Sequence, residues 1–216
     1  MKQNARLGGR PSRLEAAALD ARLLDGARAA FGRKGIANTS LEEIATSLGI
    51  SKHTLYRRHA SKQALLDAVV ERDMRAFRDS LLAASVDGET GDPLAALRRV
   101  AYRYVEIGSR QEYAAFYLSV CAEAALSASL RHHLALWSER ALEPLSNAIA
   151  AAREAELLSA ESPAEITGLL VDLLEGVNNR VRLAPAEEDD GVMLTLLFER
   201  RWAAFLAATA PDGTRV

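Results

Sequence analysis

One cysteine in 216 residues, Cys121, excludes an internal disulfide and any Cys-based metal cluster. The four histidines hold no ligand spacing either: His132 and His133 are adjacent, about 100° apart on a helix, and cannot easily share an ion. Neither a metal nor a cofactor is expected. No run reaches the roughly 18 consecutive apolar residues of a membrane helix, and the basic N-terminus lacks an apolar signal core, so a cytoplasmic chain that avoids membranes is expected. No segment alternates apolar and polar residues with the period of a strand. Ser/His/Asp, Cys/His, paired-carboxylate and Gly-rich phosphate signatures do not stand out, which argues against an enzyme.

What remains is helix-forming material: 49% apolar residues rich in Ala and Leu, 26% charged residues, and only six prolines. The net charge of -2 hides an asymmetry. Residues 1–62 carry twelve Lys/Arg against five Asp/Glu, a net +7, and the remainder carries fifteen against twenty-four, a net -9. A basic head on an acidic body is the electrostatic footprint of a polyanion partner held at one end.

Residues 1–13, with Lys2, Arg6, Arg10 and Arg13 among Gly8, Gly9 and Pro11, read as a flexible basic arm. Apolar positions at helical spacing predict a first helix over 14–34, closed by Gly35. Ser40-Leu41-Glu42-Glu43 is a capping box that opens a short second helix, stopped at Gly49. Ser51 and Ser61 offer N-caps for a third helix ending near His59 and a fourth reaching about Ala84. After the linker 85–93, Asp92-Pro93 starts a second body with helices near 93–108, 111–124 and 127–156, the last expected to kink at Pro144. Ser162 to Glu165 opens an eighth helix, and Leu194, Phe198, Trp202 and Phe205 stripe a ninth. The expected fold is therefore all-α, organised as an arm (1–13), a helix-turn-helix region with its linking helix (14–84) and a helical body (85–216).

The second and third helices form a helix-turn-helix. Ala45 is small where the two helices approach, Gly49 supplies the turn, and Ile50 and Leu55 plug its centre. That leaves Lys52, His53, Tyr56 and Arg57 on the outward face of a helix whose width fits the DNA major groove.

Residues 22–70 resemble the DNA-binding domain of the TetR family of bacterial transcriptional regulators. The resemblance rests on Ala27, Phe31, Gly35, Thr39, Ile44, Ala45, Gly49, Ser51, Thr54-Leu55-Tyr56 and Ser61-Lys62 in the family's order and spacing. It implies a nine-helix homodimer, with a double-stranded DNA operator bound by the first three helices and the start of the fourth. The remaining helices would hold a small-molecule pocket and the dimer interface. By resemblance, Lys52 and His53 read bases with Arg57 as a third reader, while Ser40, Thr54, Tyr56 and Lys62 grip phosphates and Arg58 joins them. One departure stands out: His59 occupies a position where the family has an aromatic or aliphatic residue, and a neutral imidazole is expected to pack there.

In the body, Tyr102, Tyr104, Tyr113, Phe116, Tyr117 and Trp137 are either core or the lining of a ligand cavity. The candidate effector contacts are Tyr104, Tyr117, Cys121, His133, Trp137 and Asn178, for a small, mainly apolar effector. Cys121 is read as a small buried hydrophobe in preference to a thiol sensor. The apolar faces of the eighth and ninth helices (Leu170, Leu174, Val177, Val181, Leu194, Phe198, Trp202, Phe205) are expected to pair with their two-fold mates, with packing inside one subunit as the alternative. The favoured function is an effector-released repressor on a palindromic operator. A non-specific nucleoid-type DNA binder and a helical small-molecule binder are the rivals.

Overall fold

The computed structural model describes residues 13–86, 91–184 and 190–211, and among them it contains nine helices and no strand. They are α1 (Arg13–Lys34), α2 (Leu41–Ser47), α3 (Lys52–Arg58), α4 (Lys62–Val86), α5 (Pro93–Gly108), α6 (Gln111–Leu126), α7 (Ala128–Glu154), α8 (Pro163–Arg182) and α9 (Asp190–Ala208). The expected basic arm lies outside the described residues except for Arg13, which begins α1. Contacts divide the chain at 70/71, inside α4, and not at the 85–93 linker. Apolar residues occur along the whole length of α4: Leu65, Leu66, Val69 and Val70 are buried in the first unit, whereas Phe77 and Leu81 belong to the core of the second.

In the first unit, local hydrogen bonds fix each boundary. Ser40 Oγ accepts from Glu43 N at 3.1 Å while Glu43 Oε2 accepts from Ser40 N at 3.1 Å, so both halves of the capping box form. At the other end of α2, Ile50 N donates to Ala45 O (3.0 Å) and Gly49 N to Thr46 O (3.1 Å), the paired bonds of a Schellman motif. The residue between them must be left-handed, and Gly49 has φ +65°. Leu23, Ala27, Phe31, Ile44 and Leu55 close the core behind this turn. Truncating fully buried Leu55 to Ala should cost about 2–5 kcal/mol.

The second unit is a helical bundle in which α5 packs on α7 and α8 packs on α7 and α9. Its core includes Leu97, Val100, Val105, Leu145, Ile149, Ile166 and Leu170. α7 continues through Pro144, which is buried. The stripes on α8 and α9 correct one expectation: Leu170, Leu174, Val177, Val181, Leu194, Phe198, Trp202 and Phe205 are all buried within one chain, because α8 and α9 pack on each other and on α5. Other residues of these helices face outward, among them Leu169, Val192 and Leu196.

Candidate functional site

Two places concentrate functional chemistry, one in each unit. In the first, α3 is only seven residues long and Leu55 is its buried anchor. With that residue inward, the helical period turns Lys52, His53, Tyr56 and Arg57 outward, and all four are exposed. Ser51 caps the helix by accepting from Thr54 N at 3.1 Å, and the two hydroxyls lie 2.8 Å apart. Ser40 stands at the start of α2 as its N-cap.

This face carries its own counter-charge. Glu42 of α2 accepts a 3.1 Å hydrogen bond from the Tyr56 hydroxyl, and the same oxygen lies 3.4 Å from Lys52 Nζ. A hydrogen bond from its own backbone NH, then that from Tyr56, hold the Glu42 carboxyl below its ordinary pKa. Glu43 is held low by Lys34, whose Nζ lies 3.0 Å away, and by Ser40.

Arg58 and Lys62 both have partners within the domain. Arg58 is largely buried and pairs with Asp20 of α1, so its guanidinium is not presented beside Arg57. Lys62 Nζ donates to the carbonyls of Ile36 (2.8 Å) and Ala37 (3.2 Å), tying the start of α4 to the α1–α2 connection. His59 is the C-cap of α3 and half-buried. Burial pushes its pKa below 6.5, with Asp20 opposing, so the neutral ring is favoured.

In the second unit, a small cavity of about 60 Å³, open to solvent at its mouth, is lined from α4, α5, α6, α7 and α8. Its aromatic wall is continuous. Phe77 meets Tyr104 edge-on at 5.4 Å and stacks on Tyr113 at 6.0 Å, and Tyr113 stacks on Tyr117 at 6.2 Å. Opposite polarity enters from α8: Glu175 Oε1 accepts from the Tyr104 hydroxyl (2.7 Å) and from Asn178 Nδ2 (2.9 Å), and Oε2 accepts from Arg182 Nη1 (3.3 Å). Arg182 also donates through Nε to Gly108 O at 2.8 Å and lies 5.2 Å over the Tyr117 ring. Burial, then Glu175, pushes the Tyr104 pKa far up, so its hydroxyl stays a donor.

A sequence model described as bacterial regulatory proteins, tetR family, matches residues 23–69, which contain the whole helix-turn-helix. The chain is 27% identical over 177 residues to the HTH-type transcriptional regulator BetI of Rhizobium meliloti, covering 80% of this chain and 83% of that one. The helix-turn-helix region of this chain is that of the TetR family. A crystal structure of a protein described as a TetR-family regulator from Mesorhizobium loti superposes with a TM-score of 0.75, at 22% identity, covering 93% of this chain and all of that one. The SmeT–triclosan complex has a TM-score of 0.71 at 25% identity, over 92% and 95% of the two chains.

A TetR-type helix-turn-helix supports a DNA-binding transcriptional regulator, and the relatives the chain matches are named as transcriptional regulators. None of its described helices is long and apolar enough to cross a membrane. Of the six residues expected at an effector site, Tyr104, Tyr117 and Asn178 line the aromatic cavity. Trp137 lines a second, more charged groove with Arg75, Arg78, Arg140 and Glu143, and His133 packs against Trp137. Cys121 sits beside Tyr117 off the cavity wall, its thiol pushed up by burial and therefore protonated. Sequence reasoning missed Glu175, Arg182 and Gly108. A signal was present: Glu175, Asn178 and Arg182 recur at i, i+3 and i+7 and are polar residues sharing one helical face.

Proposed function

We propose that this regulator is an effector-released repressor that binds a palindromic operator as a homodimer in the cytoplasm. The supporting observation is α3 itself: a short helix behind a Gly49 turn whose exposed residues are Lys52, His53, Tyr56 and Arg57. Lys52 and His53 read base edges in the major groove, with Arg57 as a third reader. Thr54, Tyr56 and Ser40 hold phosphates. Arg58 and Lys62 act chiefly as braces, adding to the local positive potential while their polar heads stay engaged within the domain.

Dimerisation uses the outward faces of α8 and α9, where Leu169, Val192 and Leu196 are exposed and no atom lies within 4 Å of a Cβ built at Gly168 or Gly176. The effector enters the aromatic cavity. Met74 and Phe77 of that wall lie on α4, the helix that starts at Lys62, so an occupant that prefers one setting of α4 shifts the population of DNA-competent dimers.

Footprinting on genomic fragments selected by the purified protein tests the reading. A discrete protected palindrome is expected, and Lys52→Ala should cost about 1–3 kcal/mol on that site while leaving random DNA little changed. A smeared footprint, with Lys52→Ala weakening all DNA alike, would instead identify a non-specific binder.

A further inference from the structure

We infer that the cavity takes a small organic cation carrying a hydrogen-bond donor. The inference rests on the reading of this cavity as the effector site and adds to it a charge and a polar contact; the aromatic wall accounts for the apolar portion of the ligand.

Three features of the cavity converge on that class. Phe77, Tyr104, Tyr113 and Tyr117 place four aromatic rings around one space, and the faces of such rings carry negative potential that attracts cations. The wall already holds one cation of the protein's own, since Arg182 lies against Tyr117. Second, the accessible member of the buried ion pair is the carboxylate. The Arg182 side chain is 3% exposed against 25% for Glu175, so a ligand entering the cavity meets Glu175 first. Arg182 has Nε committed to Gly108 O and Nη1 to Glu175 and Asn179, and its ring-facing side is against Tyr117. Two of the three guanidinium nitrogens are thus engaged and the head is already paired with Glu175, which leaves an anionic ligand less to gain there than a cation gains at the carboxylate.

Third, an acceptor is left over. Asn178 is fully buried, and its Oδ1 has no hydrogen-bond partner among the described residues. Its amide orientation is fixed chemically: Nδ2 faces Glu175 Oε1 at 2.9 Å, and a carboxylate accepts, so the oxygen must be the end left over. A buried acceptor without a donor is costly. A ligand N–H or O–H supplies what is missing, and an ammonium supplies it together with the charge.

The test uses the full-length chain and three probes with a common phenyl body: phenethylammonium, neutral 2-phenylethanol and anionic 3-phenylpropanoate. Calorimetric titration should give an affinity for the ammonium at least about tenfold above that for the alcohol, with the carboxylate weakest. Glu175→Gln should remove most of the difference. Because that change also leaves Arg182 without its counter-charge, Tyr113→Leu provides a second variant that takes one ring from the wall and keeps the three donors of Glu175. It should weaken the ammonium about fivefold or more and the alcohol about twofold or less. Equal affinities for ammonium and alcohol, a preference for the carboxylate, or no ammonium binding at millimolar concentration would each overturn the inference. Operator release, read in the same samples by gel shift, separates the two proposals. Ammonium binding in the expected order without release leaves the cation site standing and removes the effector role. Release by alcohol and ammonium alike does the reverse.

Discussion

Gly108→Ala probes the close approach that builds the cavity. A Cβ at Gly108 would lie 2.3 Å from Asn178 Nδ2 and 2.9 Å from Asn178 Cγ, distances at which one side must move. The obstacle is a fully buried side chain about one turn from the C-terminal end of α8, so it has little room to yield. Overpacking of this kind costs about 1–3 kcal/mol. Displacing Nδ2 from the Glu175 carboxylate adds about 1.5–3 kcal/mol for a charge-assisted bond. The gain from replacing a helical glycine is at most about 1 kcal/mol, and less here because Gly108 is the last residue of α5. The net expectation is a loss of about 2–5 kcal/mol, or about 5–15 °C in Tm for a chain of this size. Both tryptophans, Trp137 and Trp202, lie in the second unit, so urea unfolding followed by tryptophan fluorescence reads the affected body. Asn178→Ala removes the obstructing atoms, and Gly108→Ala should cost little in that background, giving a coupling of about 2–5 kcal/mol in the double-mutant cycle. A Gly108→Ala protein as stable as wild type, or strictly additive costs, would refute the argument.

Three further outcomes are expected. Glu42→Gln removes the carboxylate shared by Lys52 and Tyr56, and should raise affinity for DNA of any sequence about three- to tenfold at low salt, less as salt rises; unchanged anisotropy titrations at both salt levels would count against it. Lys62→Ala should lower the stability of the first unit by about 1–2 kcal/mol through the loss of its bonds to Ile36 and Ala37 carbonyls, read by hydrogen exchange over 23–70. Weakened DNA binding with unchanged exchange would instead make Lys62 a direct phosphate contact. For His59, burial places the folded pKa below the unfolded one, so its contribution is present above pH 6.5 and is lost as pH falls through the folded value. Circular-dichroism melts between pH 8 and 5 should therefore show a smaller acid loss in His59→Leu than in wild type, and parallel curves would exclude the effect.

The sequence was most informative where structure is made within one or two turns of chain. The capping boxes at Ser40 and Ser162, the Asp92-Pro93 start of α5 and the left-handed Gly49 follow from bonds between residues two to five apart, whose geometry depends little on the rest of the molecule. The exposed face of α3 follows in the same way, once Leu55 is known to point inward.

Partners distant in the chain were not legible. Arg58 is answered by Asp20, 38 residues away, and Lys62 by carbonyls 25 and 26 residues away; both look like free cations in the local sequence. The stripe on α8 and α9 shows a similar limit, since apolar periodicity says which side of a helix avoids water and not which neighbour covers it. Glu175, Asn178 and Arg182 share a face by sequence arithmetic. Only the packing of α5 on α8, made close by the missing side chain of Gly108, turns that face into a cavity wall. Short-range hydrogen bonds and helical period thus determined the elements and the exposed face of α3 from sequence, whereas the aromatic cavity proposed to hold a ligand was decided by tertiary contacts among helices far apart in the chain.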